Sequence, residues 1–229
     1  MALVPLASDN CGTVTVTEIE TDDCFGNDQS GNINAGIGNY FYFNVDGYDN
    51  LTAGEIASLS LQFQTNQGKG RAEFTLVSPS GQGIILVGPY CTTGYCSDPD
   101  PSTQEIYAPT FYASASGYPQ WNNNDLIPQG EGNFTPYGGL TSVNSGTITG
   151  MTQGYVSSFE ELTGPMNGTW FIFARKQQSV NGSIDFNSIC LVPGACDNDD
   201  LIVRSWIATD DCGNSSAPFT QVITVTDNE

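Results

Sequence analysis

Cysteine is the residue type with the most informative chemistry in this sequence. Seven cysteines stand at widely separated positions, and the chain has no histidine. They are Cys11, Cys24, Cys91, Cys96, Cys190, Cys196 and Cys212. No CxxC pair occurs, whereas zinc sites use closely spaced cysteine and histidine, so we predict disulfides and an oxidising compartment. The odd count leaves one thiol without an intrachain partner.

Carboxylates are the second chemically informative group. The chain carries 25 acidic and 5 basic residues, a net charge of −20. This charge repels phosphate, so we expect neither nucleic acid nor an anionic membrane as a partner. No apolar run approaches the length that spans a bilayer, so we expect no membrane insertion. Bound Ca²⁺ would relieve the self-repulsion and is the expected cofactor, because Asp and Asn oxygens are its usual ligands.

The sequence lacks the usual catalytic combinations. Without histidine, Ser-His-Asp and Cys-His arrangements cannot form, and no glycine-rich phosphate loop is followed by lysine. The pairs Glu160-Glu161 and Asp199-Asp200 are adjacent in sequence. In a strand such neighbours face opposite sides of a sheet and cannot act together on one bond. We therefore predict that the protein is not an enzyme.

Alternating apolar and polar residues predict an all-β protein of many short strands. The predicted strands cover 12–20, 40–45, 57–63, 72–77, 83–87, 169–174, 184–191, 201–208 and 220–226. Ser78–Gly81, Asn167-Gly168 and Asn181-Gly182 are predicted turns. The pattern loosens between 98 and 158, where the chain is either a set of binding loops or loops that cover sheet edges.

Two of the three tryptophans are predicted core residues. Trp170 and Trp206 lie in alternating apolar runs. Trp121 lies among asparagines, and an exposed ring there could stack on a sugar, although edge packing is an equally good interpretation. The candidate ligand surface consists of Trp121, Tyr107, Phe111, Tyr112 and Tyr118.

The two ends of the chain resemble one known family. Val203–Asn214 and Gln221–Asp227 look like the closing half of a hyalin-repeat (HYR)-like immunoglobulin-type domain, and Ala7–Val16 resembles its opening half. Such repeats occur in tandem in very large surface proteins of Bacteroidetes. The resemblance implies that Cys11 pairs with Cys212. The family's first strand, which usually carries a cysteine, is absent here.

Five segments in the middle of the chain, roughly residues 38 to 192, carry a second resemblance: Leu76–Gly81, Ile84–Leu86, Phe159–Leu162, Pro165–Trp170 and Gly182–Ile184. In order and spacing they resemble the P-domain found after proprotein convertases and in bacterial surface proteins. The resemblance implies a jelly-roll β-sandwich, often with bound calcium. Together the two resemblances imply a jelly roll inserted into a small immunoglobulin-like sandwich. The outer domain would comprise 1–24 plus 193–229 and the insertion 25–192.

The remaining cysteines fit this organisation. Cys91 and Cys96 could close a local loop. Cys24 precedes the insertion and Cys190 lies on its last strand, so their pairing would join its two ends. Cys196 is then unpaired in this chain, and we expect its partner on the missing first strand. The competing arrangement pairs Cys24 with Cys196 and leaves Cys190 without a partner.

Pairing Cys24 with Cys190 would also bring two acidic segments together. Six carboxylates would repel one another at this junction unless a cation lay among them. The candidate calcium ligands are Asp22, Asp23, Asp28, Asp197, Asp199 and Asp200. The alternative is that both segments extend into water and never meet.

These observations predict a calcium-stabilised, non-enzymatic module with a structural or adhesive role in a large secreted or cell-surface bacterial protein. Its expected partners are neighbouring repeats or subunits of a surface array, and a glycan or protein ligand. One alternative function is a carbohydrate-binding module. Another is a P-domain-type accessory domain of a secreted protease.

Overall fold

The structure is a computed structural model, and it describes ten segments of the chain. They are residues 13–19, 24–33, 38–66, 69–88, 105–122, 130–139, 148–176, 183–194, 199–216 and 219–226. For residues 17–19, 199–205 and 219–226 only the backbone is described.

The chain divides into two compact units. The outer unit is Met1–Asp23 with Ala195–Glu229, and the inner unit is Cys24–Gly194. These boundaries differ from the predicted ones by one residue at the first junction and two at the second. The inner unit is therefore a continuous segment that interrupts the outer one.

Twelve strands and three short 3₁₀ helices make up the regular structure of the described residues. The strands are β1 (Val14–Ile19), β2 (Gly31–Asn32), β3 (Asn39–Val45), β4 (Ile56–Thr65), β5 (Ala72–Val77), β6 (Gly83–Val87), β7 (Glu105–Phe111), β8 (Gly130–Phe134), β9 (Gly168–Lys176), β10 (Ile184–Pro193), β11 (Asp199–Asp210) and β12 (Phe219–Thr226). The helices are Lys69–Arg71, Ser114–Ser116 and Phe159–Glu161. No helix in these segments is long and apolar enough to cross a membrane.

The all-β prediction is confirmed, and each of the nine predicted strands is present. Strands β2, β7 and β8 were not predicted. The last two lie between residues 98 and 158, which were predicted to be loops. That part of the prediction is wrong because β7 pairs with β4, and β8 pairs with β7 at the edge of the same sheet.

The inner unit consists of two sheets. One has five strands in the order β2-β10-β4-β7-β8, and the other has four in the order β3-β9-β5-β6. Strands β7 and β8 are parallel, and the other neighbours pair antiparallel. The sheets meet face to face through phenylalanines, as in a β-sandwich: Phe41 lies 4.5 Å from Phe186, and Phe63 lies 4.9 Å from Phe74, between ring centroids.

A loop segment covers the outer face of the four-stranded sheet. All residues of β5 and β6 are buried, although only every second side chain of a strand can face the partner sheet. Ile148, Met151 and Tyr155 cover the remaining side, packed on Val77, Phe171 and Phe173. The Gly83 amide donates to the Gly154 carbonyl at 2.9 Å, which holds this segment on β6. This part of the loosely patterned region is therefore a packing loop.

The two predicted turns that fall on described residues are confirmed. The Ser78 amide donates to the Gln82 carbonyl at 2.9 Å and closes the β5–β6 hairpin, with Gly81 at a φ of 86°. Gly168 begins β9 at a φ of 138°, and a Cβ on it would lie 2.8 Å from the Pro79 Cβ. Glycine at this position thus allows the two turns to pack together. The predicted Asn181-Gly182 turn lies outside the described residues.

The outer unit contains a three-stranded sheet in the order β1-β11-β12. Asp210 organises the turn after β11: its carboxylate accepts hydrogen bonds from the amides of Cys212 and Asn214 at 2.9 and 2.8 Å. The neighbouring Asp211 carboxylate accepts from the Thr13 amide at 2.9 Å and so joins this turn to the start of β1. These two aspartates therefore have structural roles.

Candidate functional site

Three of the five residues predicted to form a ligand surface lie in the core of the inner unit. Tyr107, Phe111 and Trp121 are 2%, 0% and 1% exposed, so this part of the prediction is wrong. The first two occupy inward positions of β7. The Trp121 ring packs edge-on against Phe111 and Phe134, and its amide donates to the Thr135 carbonyl at 2.9 Å. Trp121 therefore packs beneath β7 and β8 and cannot contact a sugar in solvent.

Tyr112 and Tyr118 are the two predicted ligand residues that remain at the surface. Their ring centroids lie 4.9 Å apart, and Tyr118 is 41% exposed. The 3₁₀ helix Ser114–Ser116 connects them, and its Ser114 hydroxyl donates to the Glu160 carboxylate at 2.6 Å. These two tyrosine rings contact each other. They do not line a common cleft with the three buried aromatics.

The predicted disulfide between Cys24 and Cys190 is confirmed. Their Cα atoms lie 4.9 Å apart, and the bond links residues separated by 166 positions. The competing pairing of Cys24 with Cys196 is wrong. Cys212 is also disulfide-bonded. Cys11, Cys91, Cys96 and Cys196 lie outside the described residues, so the predicted pairings that involve them stay predictions.

The candidate calcium ligands are described only in small part. Asp28 is exposed, and its carboxylate accepts a hydrogen bond from the Gln29 side chain at 3.0 Å. Asp22, Asp23 and Asp197 lie outside the described residues, and only the backbone of Asp199 and Asp200 is described. The described segments contain no group of three or more metal-ligating side chains. Calcium at the junction therefore stays a prediction.

A polar groove on the outer face of the five-stranded sheet was not predicted. Its volume is about 310 Å³, and strands β10, β4, β7 and β8 form its floor. The alternation that buries Leu59, Leu61 and Phe63 of β4 turns the polar residues between them toward this face. The polar side chains that line the groove are Ser60, Gln62, Thr110, Glu131, Asn133 and Ser188.

The strand register arranges these side chains in rows across the sheet. Ser60 lies between Cys190 of β10 and Thr110 of β7, and Thr110 lies beside Asn133 of β8. The hydroxyls of Ser60 and Thr110 are 2.9 Å apart and hydrogen-bonded. The groove is thus a row of hydroxyl and amide groups on a rigid sheet, anchored at one side by the disulfide through Cys190.

A buried ion pair lies on the outer face of the other sheet. Glu73 of β5 and Arg175 of β9 face each other in the strand register, and the Arg175 Nε donates to the Glu73 carboxylate at 2.7 Å. Their side chains are 0% and 6% exposed. Burial raises the pKa of the nearby Tyr155 phenol, and the negative charge of Glu73 raises it further, so the phenol stays protonated. Substrate has no access to this pair, so its role is structural.

Two adjacent glutamates hold loops in place and provide a pH-dependent prediction. Burial raises the pKa of the Glu160 carboxyl, but hydrogen bonds, first that of the Ser114 hydroxyl, outweigh burial and leave the pKa below the ordinary value of a glutamate. Hydrogen bonds from the Ser157 amide and hydroxyl likewise lower the pKa of Glu161. A carboxyl group whose pKa is lower in the folded than in the unfolded protein stabilises the fold at pH values above its unfolded-state pKa. This stability is lost as the pH falls through the folded-state pKa.

We therefore expect carboxyl resonances in an NMR pH titration to place both pKa values below that of an ordinary exposed glutamate. The Ser157→Ala variant removes the hydroxyl donor, so the pKa of Glu161 should rise while that of Glu160 changes little. Because both carboxylates are largely exposed, the effect on stability should be small. An unchanged Glu161 pKa in this variant would contradict the assigned hydrogen bond.

Comparisons with known proteins add little. No protein-family model matches the chain, and no curated protein matches it. Among solved structures, the chain is similar to the complex of the Aeromonas sobria serine protease and the chaperone, with 9% sequence identity and a TM-score of 0.28. The alignment covers 93% of this chain and 24% of that chain, so this chain spans about a quarter of its length. Similarity at this level supports no conclusion about function.

Proposed function

We propose that this chain is a non-enzymatic module with a structural or adhesive role in a large secreted or cell-surface bacterial protein. In such a protein its partners would be neighbouring repeats or subunits of a surface array and a ligand of the inner unit. The proposal combines the sequence resemblances with the organisation of the two units.

The observation that supports the proposal most is the disulfide at the base of the inner unit. Cys24 is the first residue of that unit and Cys190 lies on its last strand. Structural disulfides are typical of secreted proteins and rare in a reducing cytosol. A bond that closes so long a loop restrains the unfolded chain and preserves the unit outside the cell.

The chemistry of the described residues favours binding over catalysis. The sequence has no histidine, and the buried Glu73–Arg175 pair is closed to solvent. Glu131 is the one charged side chain among the described residues that line the polar groove. A lone carboxylate does not supply the pair of carboxylates that glycoside hydrolysis uses. An adhesive role requires no such pair.

Protease resistance before and after reduction tests this proposal. The oxidised protein, isolated from a bacterial periplasm, should contain a Cys24–Cys190 peptide in a non-reducing map and should resist thermolysin. Dithiothreitol should shorten the half-life of the inner unit at least about tenfold, because the equilibrium population of the unfolded form rises. A protein purified from the cytosol with both thiols reduced, yet equally resistant, would contradict an oxidising site of action.

A further inference from the structure

We infer that the polar groove on the five-stranded sheet is a binding site for a neutral oligosaccharide. This inference rests on the proposed adhesive function and names its ligand class. The site differs from the predicted aromatic surface, because Tyr107, Phe111 and Trp121 are buried on the opposite face of the same strands or beneath them.

The groups that line the groove match the chemistry of a sugar. Ser60, Thr110 and Ser188 present hydroxyls that both donate and accept hydrogen bonds, and Gln62 and Asn133 present amides that do the same. A sugar hydroxyl likewise donates and accepts, so it can pair with each of these groups. Small-molecule sites fix the orientation of the bound ligand with a few well-placed polar groups.

Charge excludes an anionic ligand from the groove. Glu131 is exposed there, and among the described residues that line the groove it is the one charged side chain. The whole chain carries a net charge of −20. Phosphate, sulfate or uronic acid groups would therefore be repelled on approach, and the described lining residues include no Lys or Arg to pair with them. The ligand that fits is a neutral one.

The groove also lacks what a protein partner needs. Protein interfaces depend on aromatic, arginine or large aliphatic anchors buried at their centre. Apart from the polar groups, the described lining consists of Leu61, Ala108, Gly132 and Cys190. Leu61 is 1% exposed and already packed in the core, so it is no anchor. A saccharide, which binds through many hydrogen bonds, fits this lining better than a peptide does.

The dimensions of the groove suit a chain of several sugars. Four strands at a spacing of about 4.8 Å give a floor on the order of 14 Å across. The volume of about 310 Å³ lies at the lower end of ordinary ligand sites. The floor is made of paired strands, and the Cys24–Cys190 bond fixes one side of it. The backbone of the groove floor therefore loses little conformational entropy when a ligand binds.

Affinity electrophoresis in native gels tests the inference. The full chain would be run in separate gels containing β-1,3-glucan, xylan, mannan, galactan or starch, with polygalacturonate and dextran sulfate as anionic polymers. We expect retardation by at least one neutral polymer and none by the anionic ones. If none of the neutral polymers retards the protein, the inference is overturned, whereas the proposed structural role is tested separately by protease resistance.

Variants then locate the site. Gln62→Ala and Asn133→Ala each remove hydrogen bonds and should weaken retardation about tenfold. Ala108→Trp should abolish retardation, because Ala108 lies beside Glu131 in the floor and a large ring would fill the groove. The matched control is Gln64→Ala, which removes the same side chain from the same face of β4 outside the groove. Its effect should stay within about twofold.

Each variant is compared by its thermal unfolding midpoint, so that loss of binding is separated from loss of fold. If Gln64→Ala weakened retardation as much as Gln62→Ala does, with both thermal unfolding midpoints unchanged, the site would lie elsewhere. Retardation that persists in Ala108→Trp would also overturn the assignment to this groove.

Discussion

Replacing Arg175 with methionine will lower the free energy of unfolding of the inner unit by about 3–5 kcal/mol. The substitution leaves the Glu73 carboxylate, which is 0% exposed, without the guanidinium that neutralises it. A buried charge that has lost its partner carries its full desolvation cost. Arg175 also lies with its Cζ atom 5.2 Å from the centroid of the Phe173 ring, and methionine retains some of that apolar contact.

The double variant Glu73→Leu/Arg175→Met is the matched control. It removes both charges and fills the space with apolar side chains, which is often neutral or even stabilising for a buried pair. We expect it to be more stable than Arg175→Met alone, so that the two substitutions are strongly non-additive. Urea unfolding followed by tryptophan fluorescence in a Trp206→Phe background measures this, because the remaining tryptophans, Trp121 and Trp170, both lie in the inner unit. Additive losses would contradict the coupling.

Replacing both Cys24 and Cys190 with serine will lower the stability of the inner unit by about 3–5 kcal/mol. The bond spans 166 positions, and in the loop-entropy model longer loops gain more from closure. The cost therefore arises mainly in the unfolded chain, and the native contacts of β4 and β10 should persist. Guanidinium unfolding of the oxidised wild type and the double serine variant measures the difference.

A reduction experiment separates the effect of this bond from that of any other disulfide. Dithiothreitol should lower the midpoint of the inner unit in the wild type and leave it nearly unchanged in Cys24→Ser/Cys190→Ser. Far-ultraviolet circular dichroism of that variant should match the wild type, since the strands do not depend on the bond. A variant with the wild-type unfolding midpoint would show that the bond adds no stability.

Local sequence patterns were sufficient for the strands that alternate clearly. Gly83–Val87 is an apolar run between turn signals, and it is observed as β6 with the predicted bounds. The pattern fails for β7, which contains Pro109, and for β8, which contains two glycines and has little intrinsic strand propensity. These two strands form because they pair with each other and cover a core that includes Trp121.

The site could be predicted only in part, because it depends on residues that are close in space but far apart in sequence. Trp121 lies among asparagines, so the sequence left both an exposed ring and edge packing open, and rings distant in sequence bury it. The polar positions of β4 were visible as an alternation in Ser60-Leu61-Gln62-Phe63. Their neighbours Ser188, Thr110 and Asn133 come from three other strands, and single-sequence periodicity does not indicate which strands adjoin. The Cys24–Cys190 pairing was predictable because the resemblances implied an insertion with two ends that must meet.

The bond between Cys24 and Cys190 also determines how the inner unit bears mechanical load. Tension that reaches Cys24 and Cys190 passes through the sulfur bridge and bypasses the intervening chain, whose ends are 166 positions apart in sequence. Fully extended, that length of chain would reach more than about 500 Å. The proposed surface fibre would therefore not lengthen by unravelling of this unit, and the polar groove would keep its shape under force until the bridge is reduced.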